Sequence, residues 1–154
     1  MMWVRIDNRL VHGQVIEGWV PYVRARALCV ANDELSVDPL RQEIMGLAVS
    51  SDLDLLFSRV AEAARCVRDL CRRWPGVNML ILFASCTDAR RAYEDGLEFS
   101  QVNVGNLHYA PGKRQLCSHV AVSQEDVNCL NFFVKKGLEV DFRCVPNKPV
   151  HVSW

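Results

Sequence analysis

Short apolar runs and helical stripes of apolar residues take turns along this chain almost from end to end. Met2–Ile6 (MWVRI) and Ala27–Ala31 (ALCVA) read as strands. Between them Val15, Ile16, Trp19 and Val20 recur at helical spacing, which predicts a helix over Gly13–Tyr22. Pro39–Leu47 predicts a second helix, with Asp38 as its cap and Pro39 in its first turn. Leu53–Phe57 is a third strand candidate, and Ser58 is expected to cap the helix that follows. On that helix Val60, Ala63, Val67, Leu70, Cys71 and Trp74 share one face, while its arginines read as solvated surface. Pro75-Gly76 stops it.

The run Asn78–Ala84 (NMLILFA) is the most apolar in the chain and suits a central strand covered on both faces. Thr87 is expected to cap the next helix, which ends at Gly96. Phe99–Val104 reads as a strand, GNLHYAPGK as a loop, and Gln115–Val122 as one further strand. Ser123, with Asp126 three residues on, opens a helix carrying Val127, Leu130, Phe133 and Val134, closed by Gly137. Leu138–Val145 alternates apolar and polar residues up to Pro146, as a last strand would. This order predicts an α/β three-layer sandwich, an open, mostly parallel twisted sheet with helices on both faces. One domain over residues 1–154 accommodates it.

Composition narrows the partners. Eighteen basic residues balance eighteen acidic ones, so no net field favours nucleic acid or a membrane surface. No stretch approaches the roughly 20 apolar residues of a membrane span. The opening MMWVRID carries charges where a signal peptide needs an apolar core, so a cytoplasmic protein is expected. The seven cysteines are an odd number without a CxxC pair, which argues against a disulfide framework or a zinc site. No metal or cofactor is expected.

In an open parallel sheet, ligands bind outside the carboxyl ends of the strands. That rule selects Asp7–His12, Asn32-Asp33, Ser85–Thr87 and Gly105–Lys113. The first of these loops is the richest in chemistry. RIDNRLVHGQV places His12 just before a helix, whose unpaired N–H groups at Gly13, Gln14 and Val15 form a positive pole. A neutral imidazole keeps one nitrogen lone pair, and a helix start suits an anion such as phosphate. Arg9 offers a planar fork for phosphate oxygens, and Asp7 an oxygen to orient the ring or an arginine. The stretch is not a phosphate loop, since neither GxGxxG nor GxxxxGK[ST] occurs. On residues alone two readings stand, an ordinary polar turn and a phosphoryl acceptor. His119 and His151 read as strand histidines, Trp19 as core or interface packing, and Lys113 and Arg114 as a solvated pair.

RIDNRLVHGQV resembles the signature R-[VI]-D-x-R-[LI]-x-H-G-Q-V of the IIB component of the mannose/fructose/sorbose family of the bacterial sugar phosphotransferase system. VAND, VNVGN and SQEDVNCLNFFVKKGLEVDFRCVP look like further blocks of that family in their usual order, so the resemblance covers essentially the whole chain. It implies a protein-N(π)-phosphohistidine–sugar phosphotransferase subunit. Such a subunit takes a phosphoryl group from phosphorylated IIA and passes it to sugar entering through membrane components IIC and IID. By the same resemblance His12 is the phosphohistidine, through Nδ1. Arg9 and Asp7 hold the loop and the phosphate, with Gly13, Gln14, Val15 and Arg5 forming the phosphate-binding loop and helix start. Asp33, Ser85, Thr87 and His108 lie on neighbouring loops. The resemblance places the protein in the cytoplasm, associated with the membrane through IIC and IID; a homodimer is a common default. Asn106 departs from it, standing where glycine is expected in a VNVGG-like run. Two other classes compete: a regulatory phosphorylation sensor on the same domain that moves no sugar, and a small-molecule binding module using His12 as base or donor.

Overall fold

Six parallel strands form one sheet. The structure, a computed structural model, describes residues 1–154. The strands are β1 Met2–Asp7, β2 Ala25–Ala31, β3 Asp54–Ser58, β4 Asn78–Phe83, β5 Gln101–Asn106 and β8 Glu139–Asp141, and they lie in the order β3-β2-β4-β1-β5-β8. β6 Arg114–Cys117 and β7 Val120–Val122 form a separate antiparallel hairpin. The expected α/β sandwich is therefore present, and its sheet is wholly parallel.

Alternation along the strands divides the apolar residues between two cores. Val4, Ile6, Cys29, Ile81, Phe83, Val102 and Val104 face one side, against α3 Ala63–Arg73, α4 Cys86–Glu94 and α5 Gln124–Lys135. Leu28, Val30, Leu80 and Leu82 face the other, packing with Val15, Trp19 and Val23 of α1 and with Leu35. Here α1 is a π-helical stretch over Gln14–Trp19 that continues as α-helix over Val20–Val23. α2 Pro39–Gly46 lies beyond the 3-10 turn Leu35–Val37, capped by Asp38 as expected. β4, the most apolar run, lies between β2 and β1 with both faces covered, as its composition predicts.

Several local expectations are corrected. Ser85, not Thr87, caps α4: its hydroxyl accepts the Asp88 N–H at 3.1 Å, and Thr87 bonds to Ser85 instead. Ser58 ends β3 beside the Cys29 thiol and caps nothing; a 3-10 turn over Val60–Glu62 leads into α3. The stretch read as one strand over Gln115–Val122 folds back on itself, with Ser118 and His119 in the turn. The last strand is only Glu139–Asp141, because Arg143 bends back to donate to Asp141 Oδ2. His151 lies in no strand. Ser123 and Asp126 do form the predicted capping box on α5. Replacing Ser85 with alanine is expected to cost about 1 kcal/mol. That is about 2–4 °C in Tm for a chain of this size. Thr87→Ala leaves the Asp88 bond in place, and a larger loss from it would move the cap back to Thr87.

Topology sets where the loops open. The connection leaving β1 runs past β4 to β2, whereas the one leaving β4 crosses β1 to reach β5. The carboxyl end of β1 thus sits where strand order changes direction, the place such sheets reserve for ligands.

Candidate functional site

β1 ends in Arg5, Ile6 and Asp7, and only Ile6 faces the larger apolar core. Arg5 points to the α1 side, where it is 0% exposed and its guanidinium lies 4.9 Å over the Trp19 ring. A buried cation needs a partner close by. Asp7 supplies it, accepting from Arg5 Nη2 at 2.8 Å and Nε at 3.2 Å. The remaining Arg5 hydrogens go to Asn103 Oδ1 and to the carbonyls of Arg143 and Cys144. Burial pulls the Arg5 guanidinium below its ordinary pKa against the pull of Asp7. Burial alone would push the Asp7 carboxyl up. The His12 hydrogen bond, the Arg5 charge and the Asn106 amide outweigh it and hold the carboxyl below its ordinary value.

The backbone makes room for this pair. β1 and β5 pair Ile6 with Val104 and then Asp7 with Asn106, so Gly105 bulges out of register. A methyl group on Gly105 would overlap the Arg5 guanidinium. Glycine is the residue that fits.

After β1 the chain turns through Leu10, which sits in the left-handed region at φ 56° despite its side chain. Asp7 holds the turn: its Oδ1 accepts the Arg9 N–H at 3.0 Å and its carbonyl accepts the Leu10 N–H. The turn brings His12 back over the strand end, where its Nε2 lies 2.9 Å from Asp7 Oδ2. An ionised carboxylate can only accept, so Nε2 carries the proton and Nδ1 keeps the lone pair. Nδ1 makes no hydrogen bond and has almost no exposed surface.

Around the ring, Arg9, His12, Gly13, Gln14, Glu17, Gly18 and Val145 line an open cavity of about 490 Å³. Arg9 is exposed, and its guanidinium is engaged by no other side chain. Gly13 and Gln14 head α1, and their N–H groups have no helical acceptor. The widened first turns show in the bond from Val20 N–H to Val15 O, five residues back.

The structure thus brings together Asp7, His12, Arg5, Gly13 and Gln14, with Arg9 on the same cavity. Two of the predicted phosphate-binding residues are placed otherwise. Arg5 is sealed in its pair with Asp7 and supports the site from inside; the Val15 N–H is used by His12 O at 3.0 Å. A phosphoryl acceptor has to be reached by its donor, yet the His12 side chain is only 9% exposed. Asp33 is taken up elsewhere, accepting from Val60 N–H and Arg91, which lower its pKa. Ser85 and Thr87 are spent on the α4 start. His108 is exposed on the loop after β5 and does not line the cavity. His119 sits in the hairpin turn with its Nε2 2.8 Å from Phe142 O, and Lys113 pairs with Asp126 at 3.7 Å.

Sequence reasoning gave no site role to Asn103, nor to Gly105 and Asn106 although these two open the selected Gly105–Lys113 loop, and it missed the Arg143-Cys144 segment. A signal was present for the first two. Asn103 and Gly105 alternate with Val102 and Val104, so one face of β5 is polar in an otherwise buried strand. Trp19 proves to be both core and platform, donating to Cys144 O at 2.9 Å while stacking under Arg5.

A family model described as the PTS system sorbose subfamily IIB component matches residues 1–152. The chain belongs to this IIB family. Among curated relatives, the N-acetylgalactosamine-specific phosphotransferase enzyme IIB component 2 of Escherichia coli K12 is 31% identical over 94% of this chain and 90% of its own length. The mannose-specific EIIAB component of the same strain is 28% identical, and this IIB chain covers 44% of it. Among solved structures, the N-acetylgalactosamine-specific IIB component 1 of Escherichia coli superposes with a TM-score of 0.89 at 28% identity, covering 100% of this chain and 99% of that one. The IIB domain of the Klebsiella pneumoniae sorbose permease shares the fold, with a TM-score of 0.87 at 24% identity over 97% of this chain and 91% of that one. This IIB protein is therefore a component of a sugar phosphotransferase system, and none of its helices is long and apolar enough to cross a membrane.

Proposed function

We propose that this IIB protein is a phosphocarrier, acting as one domain over residues 1–154. It takes a phosphoryl group from the phosphohistidine of IIA onto His12 and passes it to sugar entering through IIC and IID. The observation that carries this reading is the ring itself. Nε2–H is fixed to an ionised Asp7, and Nδ1 is left with a lone pair and no partner, on a residue that lines one cavity with Arg9, Gly13 and Gln14.

In the step, the Nδ1 lone pair forms the new P–N bond while the donor's P–N bond breaks and leaves its electron pair on the donor imidazole. The Nε2 proton stays where it is. Two electrostatic features make this reversible. Arg5 cancels the charge of Asp7 inside the protein, so the incoming dianion does not meet a bare carboxylate. Arg9 and the Gly13 and Gln14 amides then supply partial positive charge at the surface, and no metal need hold the phosphate. Exchange between two histidines is near isoenergetic, so moderate holding is what a carrier requires. Since Nδ1 is covered in this conformation, docking of the phosphorylated partner has to uncover it.

Incubation with phosphorylated IIA is expected to place one acid-labile, base-stable phosphate on the protein, and His12→Ala is expected to abolish it with the fold intact. Label retained by the His12→Ala protein removes the assignment.

A further inference from the structure

Asn106 stands at the carboxyl end of β5, buried, and its side chain is the only amide that reaches both sides of the His12 loop. Its Nδ2 lies 2.9 Å from Asp7 Oδ2 and 3.4 Å from Gln14 Oε1. Because the Asp7 oxygen can only accept, the atom facing it must be the amide nitrogen, and one NH2 group spans the two acceptors. Gln14 Oε1 receives a second donor, the Cys144 thiol at 3.4 Å. With its oxygen held from two sides, Gln14 has its Nε2 hydrogens free of any protein acceptor, and Gln14 lines the His12 cavity.

We infer that Asn106 is a positioning residue for phosphoryl transfer, holding Asp7 under His12 and turning the Gln14 amide NH2 toward the phosphate's place. The inference rests on the carrier reading and goes beyond it. Position 106 is where the family pattern leads one to expect glycine, which has no side chain to do this. In this chain, then, the loop after β5 contributes to the site through a side chain rather than through backbone alone. Its two ends act on different atoms of the reaction. The Asp7 end fixes which ring nitrogen carries the proton, and the Gln14 end adds a donor for a phosphoryl oxygen. Asn106 is buried and both contacts are internal to this chain, so partner binding should be indifferent to it.

The test measures transfer from phosphorylated IIA to the wild type and to Asn106→Ala, Asn106→Asp and Asn106→Gly. Misplacing a reacting group by about 1 Å can cost about 100-fold in rate. Asn106→Ala and Asn106→Gly are therefore expected to lower kcat by up to about 100-fold. KM for IIA should stay within about twofold, since the binding surface is untouched. Asn106→Asp should be worse than alanine despite matching the native shape, because it sets a second carboxylate against Asp7. Asn106→Ala combined with Gln14→Ala should fall short of the product of the two single losses, since both remove the same donor. Glycine keeps the strand position open to the family's own residue, so at least one variant folds and reports. Wild-type kcat in both the alanine and glycine variants, or losses at Asn106 and Gln14 that multiply independently, overturns the inference. A wild-type protein that accepts no phosphate overturns the carrier reading instead, and the two failures are told apart by that control.

Discussion

A Gly105→Ala protein is expected to be destabilised by about 3 kcal/mol, the upper end of what a buried overpacking change costs. That corresponds to a fall in Tm of about 6–12 °C for a chain of this length. The reason is local. Gly105 is the bulged residue between Val104 and Asn106, and the Arg5 guanidinium occupies the space its side chain would take. A methyl group cannot be met by a small rotation, because Arg5 is tied to Asp7, Asn103 and two carbonyls and stacked on Trp19. Pushing the cation aside breaks a buried ion pair, which adds to the steric cost. Thermal unfolding followed by circular dichroism measures the loss. Arg5→Met alone also breaks the buried pair with Asp7, so the overlap is read from the cycle: Gly105→Ala should cost less in an Arg5→Met background than in the wild type, where the overlapping atoms are present. A Gly105→Ala protein with wild-type stability would mean that Arg5 does not lie against this glycine.

The sheet was legible in the sequence because its strands are apolar runs bounded by turn residues, and buried parallel strands read that way. NMLILFA became the central strand β4, and the Ser123–Asp126 pair became a capping box without revision. Elements failed where tertiary contacts override local pattern. Nothing in QLCSHVAV marks the hairpin turn, which carries neither glycine nor proline at Ser118-His119. The π-helical opening of α1 keeps a helical spacing of Val15 and Trp19 and so leaves no trace in the sequence. At the site, Asp7, Arg9, His12, Gly13 and Gln14 were found together because they are neighbours in the chain. The residues that support them were not, since Asn103, Gly105, Asn106 and Cys144 arrive from strands and turns some 90 to 140 residues away. Arg5 shows the difference in kind. In sequence it is one more arginine near a phosphate motif; in the fold it is a buried counter-charge that never meets solvent.

Asp7→Asn should have the largest combined effect on stability and transfer. The substitution keeps the shape of the side chain and removes its charge. Arg5, 0% exposed, is then a buried cation without a counter-ion, and breaking a buried pair from one side costs about 3–5 kcal/mol. The acid dependence of stability should change with it. The native carboxyl is held below its ordinary value, so it contributes stability that is fully present above the unfolded value of about pH 4. That contribution is lost as the pH falls through the lower folded value. Urea unfolding between about pH 2 and pH 6 should therefore show a steep acid limb in the wild type. In Asp7→Asn the limb should be shallower and start from a lower plateau. Transfer should suffer more than stability does. An asparagine amide can turn either its oxygen or its NH2 group to His12 Nε2, so it no longer dictates that this nitrogen carries the proton. In molecules with the proton on Nδ1, the lone pair points at residue 7 instead of at the incoming phosphorus. Replacing an orienting carboxylate by its amide has cost about 10⁴-fold where the wrong imidazole tautomer results. A loss of that order, with the Asp7→Asn protein still folded at low temperature, is the expected result for phosphate uptake from IIA. Uptake at the wild-type rate would show that His12 does not depend on Asp7 for its tautomer, and with that the chemical argument for Nδ1 as the acceptor fails.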